Sequence, residues 1–148
     1  MKKLTILIFS LVISMNSYSG LFIEKNNCFE TDGQNIVYLP NEDDPYTGIY
    51  LCKFDNGQKQ KEGSYKNGKY DGKWTEWREN GQIEAELNYK NGKLDGKSTW
   101  WNKRGQKVIQ KNYKNDNLDG KWTEWFQFNG EIKREENYKN GKLCINGC

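Results

Sequence analysis

The chain contains no histidine, and that absence removes the commonest general base and the commonest metal ligand together. Proline is nearly absent too, with Pro40 and Pro45 the only two, flanking the acidic run Glu42, Asp43 and Asp44. Charge is close to balanced: once Lys2 and Lys3 are set aside, the basic residues outnumber the 20 acidic ones by one. A nucleic-acid-binding domain is expected to carry a marked basic excess, so that class is excluded here. Long apolar runs are lacking except at the start, where Lys2 and Lys3 precede Leu4 to Met15 and small residues follow at Ser17 and Ser19. This pattern predicts a secretory signal peptide over 1–19, because the run is shorter than the roughly 20 residues a membrane-spanning helix needs. Export, to the periplasm, the envelope or the outside, is therefore expected.

Cysteine is scarce but informative. Cys28, Cys52, Cys144 and Cys148 all remain after cleavage, in a compartment that permits disulfides. In an extended stack Cys52 and Cys144 lie at opposite ends, so the expected pairs are Cys28 with Cys52 and Cys144 with Cys148. The first pair requires the cap to leave strict repeat register, since equivalent positions in adjacent two-stranded units would stand about 9.6 Å apart. The cysteines lack metal-site spacing, so no metal is expected.

What the sequence has in abundance is itself. The motif Tyr-Lys-Asn-Gly-Lys-x-Asp-Gly-Lys starts at Tyr65 and Tyr89, recurs altered at Tyr113 and begins again at Tyr138, with periods of 24, 24 and 25. The extra residue falls near Gln127 and Phe128, which predicts a bulge or longer turn there. Units run 65–88, 89–112 and 113–137, with partial units at 46–64 and 138–143. They follow a cap and connection at 20–45, in which Ile36 to Leu39 reads as a strand and Asp32-Gly33 as a hairpin turn. A tail at 144–148 closes the chain.

Each unit reads as a hairpin, because Asn67-Gly68 and Asn80-Gly81 supply the positive φ angles of a type I′ turn. The apolar set of one unit is small (Tyr65, Tyr70, Trp74 and Trp77), so stability must come from stacking. The expected fold class is all-β: an elongated, twisted antiparallel sheet of stacked hairpins with an N-terminal cap.

These units, Tyr65-Lys-Asn-Gly-Lys-Tyr-Asp-Gly-Lys-Trp and Tyr113-Lys-Asn-Asp-Asn-Leu-Asp-Gly-Lys-Trp, resemble the bacterial variant of MORN repeats over about 46–143. The resemblance implies a non-enzymatic scaffold that binds another protein. It also implies two narrower roles: an antitoxin or immunity component whose partner is a toxin, or a membrane-associated module.

Catalytic motifs dissolve on comparison between units. Gly92 to Ser98 has one residue too few between its glycines for a phosphate-binding loop, and sister units carry Trp where Ser98 stands, so no nucleotide or other cofactor is expected. Asp71, Asp95 and Asp119 recur before glycine as turn-formers expected to bond their own backbone. No enzyme is expected.

Partner contact is expected from two repeated sets. Lys66, Lys69, Lys90, Lys93, Lys139 and Lys142 flank the same turn and would line one edge, suited to an anionic envelope lipid or polysaccharide or an acidic protein. Trp77, Trp101 and Trp125 share a face with Thr75, Thr99 and Thr123; Trp74 and Trp122 point to the other, and Trp100 stands beside Trp101. One tryptophan row is expected in the core and the other partly exposed for a partner.

Overall fold

A computed structural model describes residues 21–26 (backbone only), 36–39 and 42–145; the expected signal peptide, Cys28, Cys148 and the expected Asp32-Gly33 turn lie outside these. The described chain forms one 11-stranded sheet. Its strands are β1 (Leu21–Asn26), β2 (Gly48–Lys53), β3 (Lys59–Lys66), β4 (Lys69–Trp77), β5 (Ile83–Lys90), β6 (Lys93–Leu94), β7 (Gly96–Trp101), β8 (Lys107–Lys114), β9 (Asn117–Trp125), β10 (Ile132–Lys139) and β11 (Lys142–Leu143). From β2 onward the strands pair antiparallel in a meander, with β5 pairing both β6 and β7, giving the stack of hairpins that the repeats require. β6 and β7 together are the counterpart of β4 and β9, interrupted at Asp95.

The cap differs from expectation. The added strand is β1, which runs parallel to β2, whereas Ile36 to Leu39 makes only an isolated bridge between Tyr38 and Pro45. Proline donates no backbone hydrogen bond, so this segment cannot extend into a ladder at Pro45. It is instead held to the repeats by Val37 N–H donating to the Gly68 carbonyl at 2.9 Å and Tyr46 N–H donating to the Val37 carbonyl at 2.8 Å.

Two kinds of turn alternate along the meander. At one edge lie tight two-residue turns with both residues at positive φ: Asn67-Gly68 (50° and 73°), Asn91-Gly92, Asn115-Asp116 (49° and 68°) and Asn140-Gly141. These are the type I′ turns that Asn-Gly encodes, and the third keeps the form with Asp116 in place of glycine. The other edge corrects the sequence reading. At Asn80-Gly81 only Gly81 has positive φ, and Arg78 N–H donates to the Gln82 carbonyl around a three-residue loop, the form in which a tight turn is followed by a glycine bulge. The extra residue in the third unit enlarges this loop to four residues, with Phe126 N–H donating to the Glu131 carbonyl at 2.8 Å.

Units are joined at the tight turns by a repeated bond. The N–H of Asn91 donates to Asp71, that of Asn115 to Asp95 and that of Asn140 to Asp119, at 3.2 to 3.4 Å, while Thr47 serves Asn67 in the same way. The recurring aspartates thus bond the turn of the next unit rather than their own backbone. Beside them, the N–H groups of Gly68, Gly92, Asp116 and Gly141 donate to the carbonyls of Tyr46, Tyr70, Leu94 and Leu118, so each turn is clipped twice to its predecessor.

The core occupies one face at the N-terminal end. Val37 from the cap packs with Tyr46, Tyr50, Cys52, Tyr65, Tyr70 and Trp74, all nearly or fully buried, with Leu39, Leu87 and Tyr89 beside them. The rings of Tyr70 and Trp74 lie 3.8 Å apart between centroids, and Trp74 Nε1 donates to the Ser64 carbonyl at 3.1 Å. A buried indole with its N–H satisfied combines large apolar burial with no polar penalty.

Candidate interaction surfaces

Strand pairing sorts the expected contact residues onto two faces and one edge. The face that carries the core, here the tyrosine face, holds Trp74, Trp100 and Trp122, since Trp74 opposes Leu87, Trp100 opposes Ala85 and Trp122 opposes Lys111. Trp74 is fully buried and belongs to the core, so it is withdrawn from the contact residues; its indole is enclosed by Tyr50, Tyr65 and Tyr70.

Burial on this face fades along the stack. Trp122, at the position equivalent to Trp74, is half-buried and bracketed by cations, with Lys111 Nζ 4.5 Å and the Arg134 guanidinium 4.4 Å from its ring. Such placements favour the cation through the ring quadrupole. Arg134 in turn pairs with Glu136 at 2.7 Å, and Tyr138 Oη donates to the same carboxylate at 2.7 Å. The bond from Arg134 holds Glu136 below the ordinary carboxylate range, and the bond to Glu136 holds the Tyr138 phenol above its ordinary value.

Unit two is built differently for a volumetric reason. Ser98 replaces tryptophan and is fully buried, while the glycine on the strand before Trp74, Gly63, is replaced by Leu87 on the strand before Ser98. Large and small have exchanged strands, so the layer stays filled.

The opposite face carries Thr75, Thr99 and Thr123 in one cross-strand row, alternating with Glu86 and Gln110, and Trp77, Trp101 and Trp125 two residues further along. All three tryptophans are half-buried. Trp77 pairs with Ile83 and Trp125 with Ile132, and these isoleucines are 37% and 55% exposed. The row is thus a ladder of half-buried tryptophans whose exposed partners are Ile83 and Ile132 at its two ends and Lys107 opposite Trp101, with Lys59 Nζ 5.5 Å from the Trp77 ring.

The lysines lie where the repeat places them. Lys66 opposes Lys69, Lys90 opposes Lys93 and Lys139 opposes Lys142 across successive tight turns, with all but Lys69 exposed. Acidic side chains interleave with them: Asp71, Asp95 and Asp119 sit at the same edge, and Lys139 pairs with Asp119 at 3.1 Å. Hydrogen bonds from Asn140 and Lys139 hold Asp119 below the ordinary carboxylate range, so it stays charged and offsets the lysine row.

Cys52 and Cys144 are not free thiols. The expected pairings involve Cys28 and Cys148, which lie outside the described residues. Among the described residues no group of three or more metal-ligating side chains comes together, and no helix is long and apolar enough to cross a membrane.

The repeat geometry coincides with a known family. A model described as MORN repeat variant matches residues 46–67, 70–91, 94–115 and 118–140, more than half of the chain. The chain belongs to the MORN repeat variant family. Each matched segment spans about one unit, and together they cover the stack from Tyr46 to the last tight turn. MORN repeats are non-catalytic modules that serve generally in protein or membrane binding. No curated protein and no solved structure matches the chain.

One difference between the units escaped the reading of the sequence. The wide loops share a turn but vary at one equivalent position, which holds Asp55, Glu79, Lys103 and Gln127 in succession. Comparing units position by position within the loops, rather than only within the strands, would have found it.

Proposed function

We propose that this is an exported, non-catalytic scaffold that binds a protein partner across the threonine face. The observation that carries this reading is the apolar ladder of Trp77, Trp101 and Trp125 with Ile83 and Ile132, held in register by the sheet and left partly open to solvent. Tryptophans fixed on a rigid sheet lose little freedom on binding and dominate interface energies elsewhere. The core on the other face does not need them. The lysine-led apolar segment at 2–15 supports export.

Affinity capture by the full chain from its own cell envelope, run beside the Trp101→Ala/Trp125→Ala variant, tests the reading. A partner retained by the parent chain and lost from the variant is expected. Identical capture by both would overturn the assignment of this face, and capture of no protein would overturn the scaffold reading. An antitoxin or immunity role is the special case in which the occupant is a toxin, distinguished by rescue of cells that produce it.

A further inference from the structure

The wide loops of the last three complete hairpins converge on a cleft of about 400 Å³ lined by Arg78, Asn102, Lys103, Arg104, Gln127 and Phe128. Its lining is where the units stop resembling one another. In three of the four wide loops an asparagine precedes the glycine and its side chain accepts the N–H two residues on: Asn56 from Gln58, Asn80 from Gln82 and Asn129 from Glu131, at 2.9 to 3.1 Å. In the remaining loop Arg104 takes that position. The turn bond has moved to Asn102, whose Oδ1 accepts from the N–H groups of Arg104 and Gln106 at 2.9 and 3.1 Å. An asparagine outside the usual position thus maintains the loop while the usual position carries a guanidinium, which the fold itself does not require.

Charge changes along the same edge. The first two loops carry Asp55 and Glu79 where the third carries Lys103. Arg78 is committed elsewhere, with Nη1 on Glu84 and Nη2 on the Trp101 carbonyl, both at 2.7 Å. Lys103 and Arg104 are exposed, and neither has an ion-pair partner among the described residues. Phe128, in the enlarged loop, is 85% exposed. The one-residue insertion therefore brings an aromatic ring to a cleft that already holds two unneutralised cations. A site lined by cations and an exposed aromatic is complementary to an anionic chain bearing an apolar group.

We propose that this cleft receives an acidic segment of a partner protein, with carboxylates on Lys103 and Arg104 and an apolar side chain against Phe128. The proposal rests on the protein-binding reading above and adds the chemistry of the partner. The cleft opens at the edge where the ladder of Trp77, Trp101 and Trp125 ends, so one partner can cover both.

The test is fluorescence anisotropy of the full chain with a labelled peptide of glutamate and aspartate residues around one leucine. Binding is expected at low salt and weakens as salt rises. Lys103→Glu/Arg104→Glu should weaken it about tenfold or more, Phe128→Ser should weaken it when the leucine is present, and Lys90→Glu/Lys93→Glu at the opposite edge should leave it unchanged. Circular dichroism confirms that each variant keeps its sheet. No binding of the peptide at low salt, or equal binding by the Lys103/Arg104 variant, overturns the proposal. Binding to phosphatidylglycerol vesicles without binding to the peptide overturns it in favour of a membrane surface. A captured partner that is lost on Trp101→Ala/Trp125→Ala but kept on Lys103→Glu/Arg104→Glu sinks this site and leaves the scaffold reading standing.

Discussion

Gly63 lies beneath the indole of Trp74, so close that a Cβ added to the glycine would stand 2.2 Å from Trp74 Cδ2. The strand register slips at this glycine, between Glu62 and Ser64, and the slip lets the ring lie flat against β3. The equivalent residue two units on is Lys111, and there the indole of Trp122 rests against a lysine stem and ammonium and is only half-buried. The glycine, as much as the tryptophan, decides where the core is.

Gly63→Ala is therefore expected to destabilise the chain by about 1–3 kcal/mol, the usual range for forcing a methyl into a packed layer. Gly72→Ala is the control. Its Cβ would meet nothing within 4 Å, but its φ of +81° disfavours an L side chain, so about 1–2 kcal/mol of purely local strain is expected. Urea unfolding followed by tryptophan fluorescence separates the two, because only the Gly63 variant should shift the emission of native Trp74.

The repeat, its period and the parity of the tryptophans were legible because each depends on neighbours in sequence: Asn-Gly supplies the turn, and alternation assigns the face. The partner of Trp74 was not legible, since Gly63 looks like any strand glycine until the register slip brings it under the ring. Nor was the role of Asp71, Asp95 and Asp119. Their acceptor bonds reach about 20 residues along the chain, and a local turn explains the same residues equally well. The cap was misread because Ile36 to Leu39 alternates like a strand, whereas pairing with the stack went to Leu21–Asn26. At the candidate site, the exchange of Asn102 for Arg104 is written in the sequence, but its meaning depends on three loops meeting.

Asp95→Ala removes the acceptor that holds the Asn115 N–H across a unit boundary. A loss of about 0.5–1.5 kcal/mol is expected, the usual net worth of one such bond. In a stack of near-identical units the effect should be local, and amide exchange should speed most at Asn115 and Asp116. Uniform acceleration over the whole sheet would show that the bond is not a junction element.

Asp119 extends this to pH. Its carboxyl is held below its ordinary value by the N–H of Asn140 and the ammonium of Lys139. A depressed folded-state pKa contributes stability above the unfolded value, and that contribution is lost as pH falls through the folded value. Acidification below the ordinary aspartate range should therefore loosen the last tight turn first. NMR titration checks this: the Asn140 amide should move together with the Asp119 carboxyl, and Asp119→Asn should abolish the coupled step.

Lys61 tests the opposite sign. Burial pulls its ammonium pKa down, but hydrogen bonding to Glu76, 2.8 Å away, and the nearby Tyr70 outweigh that and leave it above the ordinary lysine value. Its stabilisation is therefore complete below the unfolded-state pKa and lost as pH rises through the folded one. Lys61→Ala should cost about 1–2 kcal/mol at neutral pH, by stranding Glu76 beside the core. Lys61→Met retains the stem over Tyr70 and Trp74 and should recover part of that. A Met variant as unstable as the Ala variant would show that the charge, not the packing, holds this corner.

The two tryptophan rows should separate stability from binding. Trp74 is wholly enclosed, and Trp74→Ala is expected to cost about 3–5 kcal/mol, enough to unfold a marginally stable stack. Trp125 is half-buried on the other face, in line with Ile132. Because it is only partly buried, Trp125→Ala should cost about 1–2 kcal/mol and leave the sheet intact. Calorimetry beside partner capture checks both halves: the Trp125 variant should melt close to the parent chain while losing its partner. If it instead melts as low as the Trp74 variant, the threonine face is a second core, and a binding surface has to be sought at the loops alone.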